Sequence, residues 1–331
     1  MRRKSQRSAV SPEKNGTDRR MFLQAVAGLS VSGMIHGRLS QGLYAAPTTA
    51  APAETLVSEF FQSLSAEQRG EICLPFDHEL KSRINANWHI TKPTLGEQFF
   101  TSQQREIVSR IVRGVTSEDG YERFQQQMEY DSGGIIEYSV AVFGEPGNQP
   151  FEFVLTGRHL TLRADGNFTD RVAFGGPIVY GHGEEEISKN LFFYQTQQAN
   201  EVYRSLSKEQ TAKALLTNAP AETSVQIQGE QGHFPGIRIG DLSPEQQGTV
   251  EKTLSVLLAP YRASDVEEAM QVLKESGGLA DLHMAFYRQE DIGNDEVWDI
   301  WRVEGPSFVW HFRGAPHVHA YINIGQWKAK A

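Results

Sequence analysis

Cysteine is nearly missing from this chain: Cys73 is the only one in 331 residues. No internal disulfide can form, and thiolate metal clusters, which need several sulfurs, are excluded. Long apolar runs are missing too. The most apolar stretch near the start, from Ala25 to Ile35, falls short of the roughly 20 residues that cross a bilayer. There is no Gly-Lys-Ser/Thr phosphate loop, no dinucleotide fingerprint and no serine-nucleophile elbow, so no nucleotide cofactor is expected. Basic side chains are the minority, 32 Lys and Arg against 41 Asp and Glu, and eight of the 32 fall in the first 45 residues. Beyond residue 45 there remain 24 basic and 39 acidic side chains, a net charge of −15. A surface this acidic disfavours nucleic acid and anionic membrane, both of which select basic patches.

The basic start has a reading of its own. Asp18-Arg19-Arg20-Met21-Phe22-Leu23-Gln24 has the paired arginines and following Phe-Leu of a twin-arginine export signal. A short apolar run and a tail rich in Ala, Pro and Thr come next. Residues 1–53 are therefore expected to be signal and tail, and residues 54–331 a single globular domain, since no linker-like interval follows. The expected partner of the leader is the twin-arginine export machinery. The expected location is periplasmic or extracellular, without a stable membrane anchor.

Helical periodicity opens the domain: Leu56, Val57, Phe60, Phe61 and Leu64 recur at spacings of three and four. The signature Leu-Ser-x-Glu-Gln then appears at 64–68, 206–210 and 242–246. In each, serine can cap a helix while glutamine reaches back to the cap N–H. Similarity beyond these five residues is not evident, which favours three capped helices over an internal repeat. His78-Glu79 begins like a zinc-protease helix, but Ser82 stands where the second histidine belongs, which excludes that motif. Helices are expected over 102–112, 118–128, 188–206, 244–260 and 265–276, the last with a Ser264…Glu267 capping box. From Ile135 the period changes to alternation. Strands are expected near 135–142, 151–155, 159–164 and 168–174, and again at 283–288, 297–303, 308–313 and 317–324. A three-residue Asp165-Gly166-Asn167 loop would pair Leu160 with Val172 and set His159 on a polar face. The fold class expected is α+β: antiparallel sheet from residues 135–175 and 283–324, with helices from the N-terminal and middle segments packed on it.

Chemistry concentrates at the C-terminal end. Successive side chains of a strand point to opposite faces, so His317, His319, Tyr321 and Asn323 share one face and Val318, Ala320, Ile322 and Ile324 the other. Two imidazoles two residues apart on one face can converge on one ion. His159, on another polar strand face, would be the third ligand. Three neutral imidazoles with an open position suit one transition-metal ion: copper, zinc or iron. Tyr321 is the candidate proton donor or radical-stabilising phenol. His182, in the glycine-rich 175–183 segment, is a second catalytic candidate. Asp77, Glu290 and Asp291 are candidate acceptors that would fix the ring tautomers.

Several segments in order then carry a resemblance. They are Leu64-Ser65-Ala66-Glu67-Gln68 with Phe76-Asp77 and Trp88, Phe143-Gly144-Glu145-Pro146, Gly157-Arg158-His159-Leu160, Phe174-Gly175-Gly176-Pro177, Gly305-Pro306 and His317-Val318-His319. Together they resemble the domain-of-unknown-function 3500 family of exported proteins. This chain departs from the family pattern at Arg158, where members usually have a first histidine, and at Asn323, near which they have an Arg-Asp pair. The resemblance implies export and no particular reaction. The reading that follows is an exported, histidine-ligated, metal-dependent enzyme acting on a small molecule, an oxidoreductase in preference to a hydrolase. The alternative is a non-catalytic extracytoplasmic protein that binds a small ligand.

Overall fold

The computed structural model describes residues 52–326, apart from 148–149, 167–171, 292–294 and 296. The expected export signal lies outside the described residues. Two helices open the described part of the chain, α1 (Pro52–Ser63) and α2 (Ala66–Ile72), followed by the short strand β1 (Cys73–Leu74) and then α3 (Ser102–Gly114) and α4 (Glu118–Ser132). Four strands come next: β2 (Ser139–Gly144), β3 (Phe151–Gly157), β4 (Leu160–Asp165) and β5 (Ile178–His182). The order then recurs. Helices α5 (Phe193–Ser205) and α6 (Lys208–Ala214) lead to β6 (Leu215–Leu216) and β7 (Ile237–Arg238), then to α7 (Pro244–Leu258) and α8 (Ala263–Glu275). The chain finishes with β8 (His283–Tyr287), β9 (Ile300–Gly305), β10 (Phe308–Arg313) and β11 (Val318–Ile324).

The strands form one mostly antiparallel sheet in the order β1-β2-β3-β4-β5-β11-β10-β9-β8-β6, with β7 beside β8. The fold is α+β, as the pattern of periods predicts. The strand order is also palindromic. Each half contributes a short edge strand, parallel to its neighbour, and four long antiparallel strands, and the halves meet where β5 pairs with β11. The Leu-Ser-x-Glu-Gln boxes occupy matching places. Ser65/Gln68 and Ser207/Gln210 cap the second helix of each half, and Thr101/Gln104 and Ser243/Gln246 cap the third. Within each half the two glutamines also donate to each other: Gln68 with Gln104 at 2.9 and 3.0 Å, Gln210 with Gln246 at 3.0 and 2.8 Å. All three expected capped helices are present, and they sit within an order of helices and strands that occurs twice along the chain.

One face of the sheet carries the main core. Phe153, Leu155, Leu160, Leu162, Trp301, Val303, Trp310, Phe312, Val318, Ala320 and Ile322 pack there with Val57, Phe60, Val108, Phe124, Val202, Leu254 and Leu257 from the helices. The opposite face is covered by connecting segments. Trp88 and Ile90 lie over Ala141, Phe143 and Val154; Ala86 and Val225 lie over Val179, Val309 and Tyr321. This second face holds the histidines.

Five local expectations give way. Leu160 pairs with Tyr180 of β5, and Val172 bridges to Gly325 instead of facing Leu160. The strand expected over 168–174 lies outside the described residues up to 171, and Ala173–Gly175 is a 3-10 turn. His159 is in no strand. It occupies the two-residue turn between β3 and β4, where Gly157 pairs with Leu160, at φ 59°. The helix expected from Ser188 starts only at Phe193, because His182 Nδ1 accepts from the Leu191 N–H and Asn190 Oδ1 accepts from the Phe192 N–H. Those contacts take backbone donors that an earlier helical turn would use. Helix α8 has Arg262 at its N-cap and no Ser264 box. The Arg262 guanidinium instead holds Asp265 of the first turn at 2.7 Å and Glu54 of α1.

Candidate metal centre

Strand pairing assembles the centre. His319 of β11 lies directly across from Gly181 of β5, and His159 sits on the turn leading into β4, the other neighbour of β5. Gly181 makes the approach possible. A Cβ there would stand 3.2 Å from the His159 Cβ and 2.3 Å from the Val318 carbonyl oxygen. Only a residue without a side chain lets the His159 ring cross β5 toward His319. The His159 N–H donates to Ala86 O at 2.6 Å, which pins the turn to the covering segment. His317 immediately precedes β11, and its ring returns to the same face.

The three ε nitrogens converge. His319 Nε2 is 3.1 Å from His317 Nε2 and 3.1 Å from His159 Nε2. One ligand atom from each of the three lies within 4.8 Å of the others. Two imidazole nitrogens bound about 2.0–2.1 Å from a single ion at near-tetrahedral angles are separated by about 3.3 Å, so the spacing fits one ion. The δ nitrogens face outward to carboxylates. His159 Nδ1 is 2.8 Å from Asp131 Oδ2, and His319 Nδ1 is 3.0 Å from Glu222 Oε2. A ring whose Nδ1–H donates to a carboxylate presents a bare Nε2 lone pair, the form a metal ligand requires. Two such lone pairs directed at each other repel unless a cation lies between them.

Both carboxylates are themselves held. Asp131, in the last turn of α4, also accepts from Gln127 Nε2 at 2.8 Å and, through Oδ1, from the Gly183 N–H at 2.8 Å. Burial raises its pKa, but the bonds from His159 and Gln127 outweigh burial and leave it below the usual carboxylate range. Glu222, in the segment covering the second half, pairs with Arg313 Nη1 at 2.9 Å. Burial again acts upward, and His319 with Arg313 overcome it, bringing Glu222 down to about 2. Arg313 Nη2 also lies 2.7 Å from His319 Nδ1. That nitrogen therefore has an acceptor in Glu222 and a donor in Arg313, one for each ring tautomer. Burial first, then the His319 and His159 rings, hold His317 down to about 4, so it is neutral and free to ligate at pH 7.

The expected residues fall into two groups. His159, His317 and His319 meet. Tyr321 is beside them, its ring 6.3 Å from that of His319, and burial together with the Glu222 carboxylate pushes its phenol up. His182 stays apart. By alternation with Ile178 and Tyr180 it lies on the helix-packed face, its Nδ1 bonded to Leu191 and its ring 4.8 Å from that of Tyr130. The acceptors expected at Asp77, Glu290 and Asp291 are replaced by Asp131 and Glu222: Asp77 and Glu290 are exposed, and none of the three bonds to a cluster ring. Arg313 and Gly181 complete the set that sequence reasoning missed. Only Gly181, a glycine inside an alternating strand, carried a signal of close approach. A cavity of about 490 Å³ opens on this same face, lined by Tyr287, Arg302 and Glu304 and by Gln226 and Gln228 of the covering segment. His233 lines it, and His159, His317 and His319 do not.

Comparison with known proteins agrees in one respect. The profile of a family described as protein of unknown function (DUF3500) matches residues 46–323, and the chain belongs to that family. None of the curated proteins and none of the solved structures matches it.

Proposed function

We propose that this member of the family is an exported metal-dependent enzyme whose single transition-metal ion (copper, zinc or iron) is held by His159, His317 and His319. The observation that carries the reading is the convergence of three ε nitrogens, two of them on rings whose δ nitrogens are fixed by Asp131 and Glu222. Such carboxylate–histidine pairs orient ligands and raise their basicity. Three protein ligands leave a coordination position for water or substrate. A bound zinc ion would lower the pKa of its water to about 7, whereas copper or iron would supply electron transfer.

Oxidation is favoured over hydrolysis by what surrounds the rings. Hydrolysis needs a general base near the open position. The carboxylates bonded to the cluster, Asp131 and Glu222, are both committed to ligand nitrogens. Tyr321 is different: burial keeps its phenol protonated, and it stands two residues after His319 on the strand that His317 leads into. It is the site's proton donor or radical-stabilising phenol. The paired Arg19 and Arg20, followed by Phe22 and Leu23, support export through the twin-arginine route. Replacing both with lysine should retain the protein in the cytoplasm, and undiminished export would remove that part of the reading.

A non-catalytic ligand-binding role has one observation in its favour, the 490 Å³ cavity with Arg302 and Glu304 on its floor. Elemental analysis separates the two. The enzyme reading expects close to one equivalent of metal in the folded protein and its loss in His159→Ala and His317→Ala. A folded wild-type protein that takes up no copper, zinc or iron leaves only the binding role.

A further inference from the structure

The cavity of about 490 Å³ in the second half falls within the roughly 300–1,000 Å³ of small-molecule sites. Its floor is sheet. Tyr287 of β8 pairs with Ile300 of β9, so alternation puts Tyr287, Arg302 and Glu304 on one face. All three line the cavity, at 1, 4 and 3 % exposure. The covering segment supplies the wall, with Asn218, Ser224 and Gln226. Arg302 and Tyr321 both pair with His311, one from each side. Two strand spacings, about 10 Å, therefore separate the cavity floor from the strand of the metal centre.

The Arg302 guanidinium is held on two sides. Its Nε is 2.9 Å from Glu304 Oε2 and its Nη2 donates to the Ser224 carbonyl, which sets it between floor and wall. Arg302 Nη1 and Tyr287 Oη are buried and make no hydrogen bond to any described residue. Buried polar groups nearly always have partners, and a donor left alone costs stability. Burial, and after it the Glu304 carboxylate, push the Tyr287 phenol up to about 12. That hydroxyl therefore keeps its proton near the ion pair.

Charge decides the class of the occupant. The charges of Arg302 and Glu304 cancel. An entering anion meets the Glu304 carboxylate and an entering cation meets Arg302, in buried surroundings where an unpaired charge is costly. A hydroxyl both donates and accepts. Neighbouring hydroxyls on one ligand can accept from Arg302 and Tyr287 and donate to Glu304 without adding charge. The carboxamides of Asn218 and Gln226 each add a donor and an acceptor at the wall. Leu216 and Ala219, packed against Tyr287 and Ile300, offer apolar surface to the C–H face of such a molecule.

We infer that this cavity is a second binding site, for a neutral, hydroxyl-rich small molecule such as a mono- or disaccharide, held by Tyr287, Arg302 and Glu304. The inference does not rest on the metal reading, and a metal-free protein keeps the site.

Isothermal titration calorimetry on the folded protein tests it. The neutral probes are D-glucose, D-galactose, maltose and sucrose; the charged ones are D-glucuronate and D-glucosamine. The expected result is saturable binding of at least one neutral probe, tighter than either charged probe and unchanged after dialysis against a chelator. Tyr287→Phe removes a hydroxyl that bonds to no described residue. It should keep the thermal midpoint and weaken that binding about three- to tenfold. Should Tyr287→Phe fail to fold, Gln226→Ala at the exposed wall carries the same comparison. No binding of any neutral probe, tighter binding of a charged one, or wild-type affinity in the folded variant overturns the inference. Binding that vanishes with the metal places the ligand at the histidines and overturns it as well. Metal uptake is read separately by elemental analysis, so either reading can fail while the other stands.

Discussion

Asp131→Asn is the substitution with the most to tell. Asp131 accepts at both oxygens: Oδ2 from the His159 and Gln127 side chains, Oδ1 from the Gly183 N–H, each at 2.8 Å. Asparagine keeps the size and shape but has one acceptor oxygen and one donor NH2. If its oxygen serves His159, an NH2 faces the Gly183 N–H; if it serves Gly183, an NH2 faces His159 Nδ1 and drives the ring into the other tautomer. In the first case a half-buried backbone donor loses its acceptor, which costs up to about 1–3 kcal/mol of stability. In the second, His159 Nε2 carries a proton where a lone pair is required. Loss of such an outer partner lowers metal affinity by about 10- to 100-fold, equivalent to about 1.4–2.7 kcal/mol. Competition against a chromogenic chelator gives the affinity and urea denaturation the stability. Either loss fits the geometry. Wild type and Asp131→Asn matching within twofold in affinity and within about 0.5 kcal/mol in stability would refute the reasoning that Asp131 orients His159.

Gly181→Ala probes the crossing of His159 over β5. Its Cβ would stand 2.3 Å from the Val318 carbonyl oxygen, and overpacking of this kind costs about 1–3 kcal/mol. Thermal unfolding should show that loss and elemental analysis a drop in bound metal, whereas undiminished metal content contradicts the proposed crossing. A third expectation concerns pH. Glu268 is raised to about 7 by burial and then by Asp165 and Asp265, and Asp265 to about 6 by burial against the pull of Arg262. Both folded values lie above the ordinary carboxylate values, so the folded state binds more protons than the unfolded chain between about pH 4 and 7. These groups therefore make stability fall as pH rises through that window. The urea midpoint of Glu268→Gln should vary less between pH 5 and pH 7.5 than that of wild type; an unchanged slope contradicts the assignment.

Sequence periodicity reads contacts within an element and is blind to contacts between distant ones. The alternation of 317–324 located two ligands and the face they share, because one buried face fixes a strand's register. The capping boxes at 64–68, 206–210 and 242–246 were legible for the same reason: cap and reciprocal glutamine lie three residues apart. Their meaning as a repeat was not. The two halves share helix order, edge strands and interlocked glutamines, but most side chains between differ, and Leu160 pairs with Tyr180 across nineteen residues of intervening chain. Asp131 stands 28 residues before His159 and Glu222 stands 97 before His319. Nothing local marks either as an acceptor, since an acid at a helix end and another in a coil are ordinary surface residues until the fold buries them. His159 is a ligand candidate whether its segment is read as strand or as turn, because its neighbours in the sheet, and not its own conformation, bring it to His319.

The central claim is that three imidazoles share one ion. X-ray absorption of the metal-loaded protein tests it most directly. The expected spectrum has three nitrogen scatterers at about 2.0–2.1 Å with the outer-shell features of imidazole, reduced to two in His159→Ala. A first shell of oxygen alone, or a spectrum that His159→Ala leaves unchanged, would contradict it.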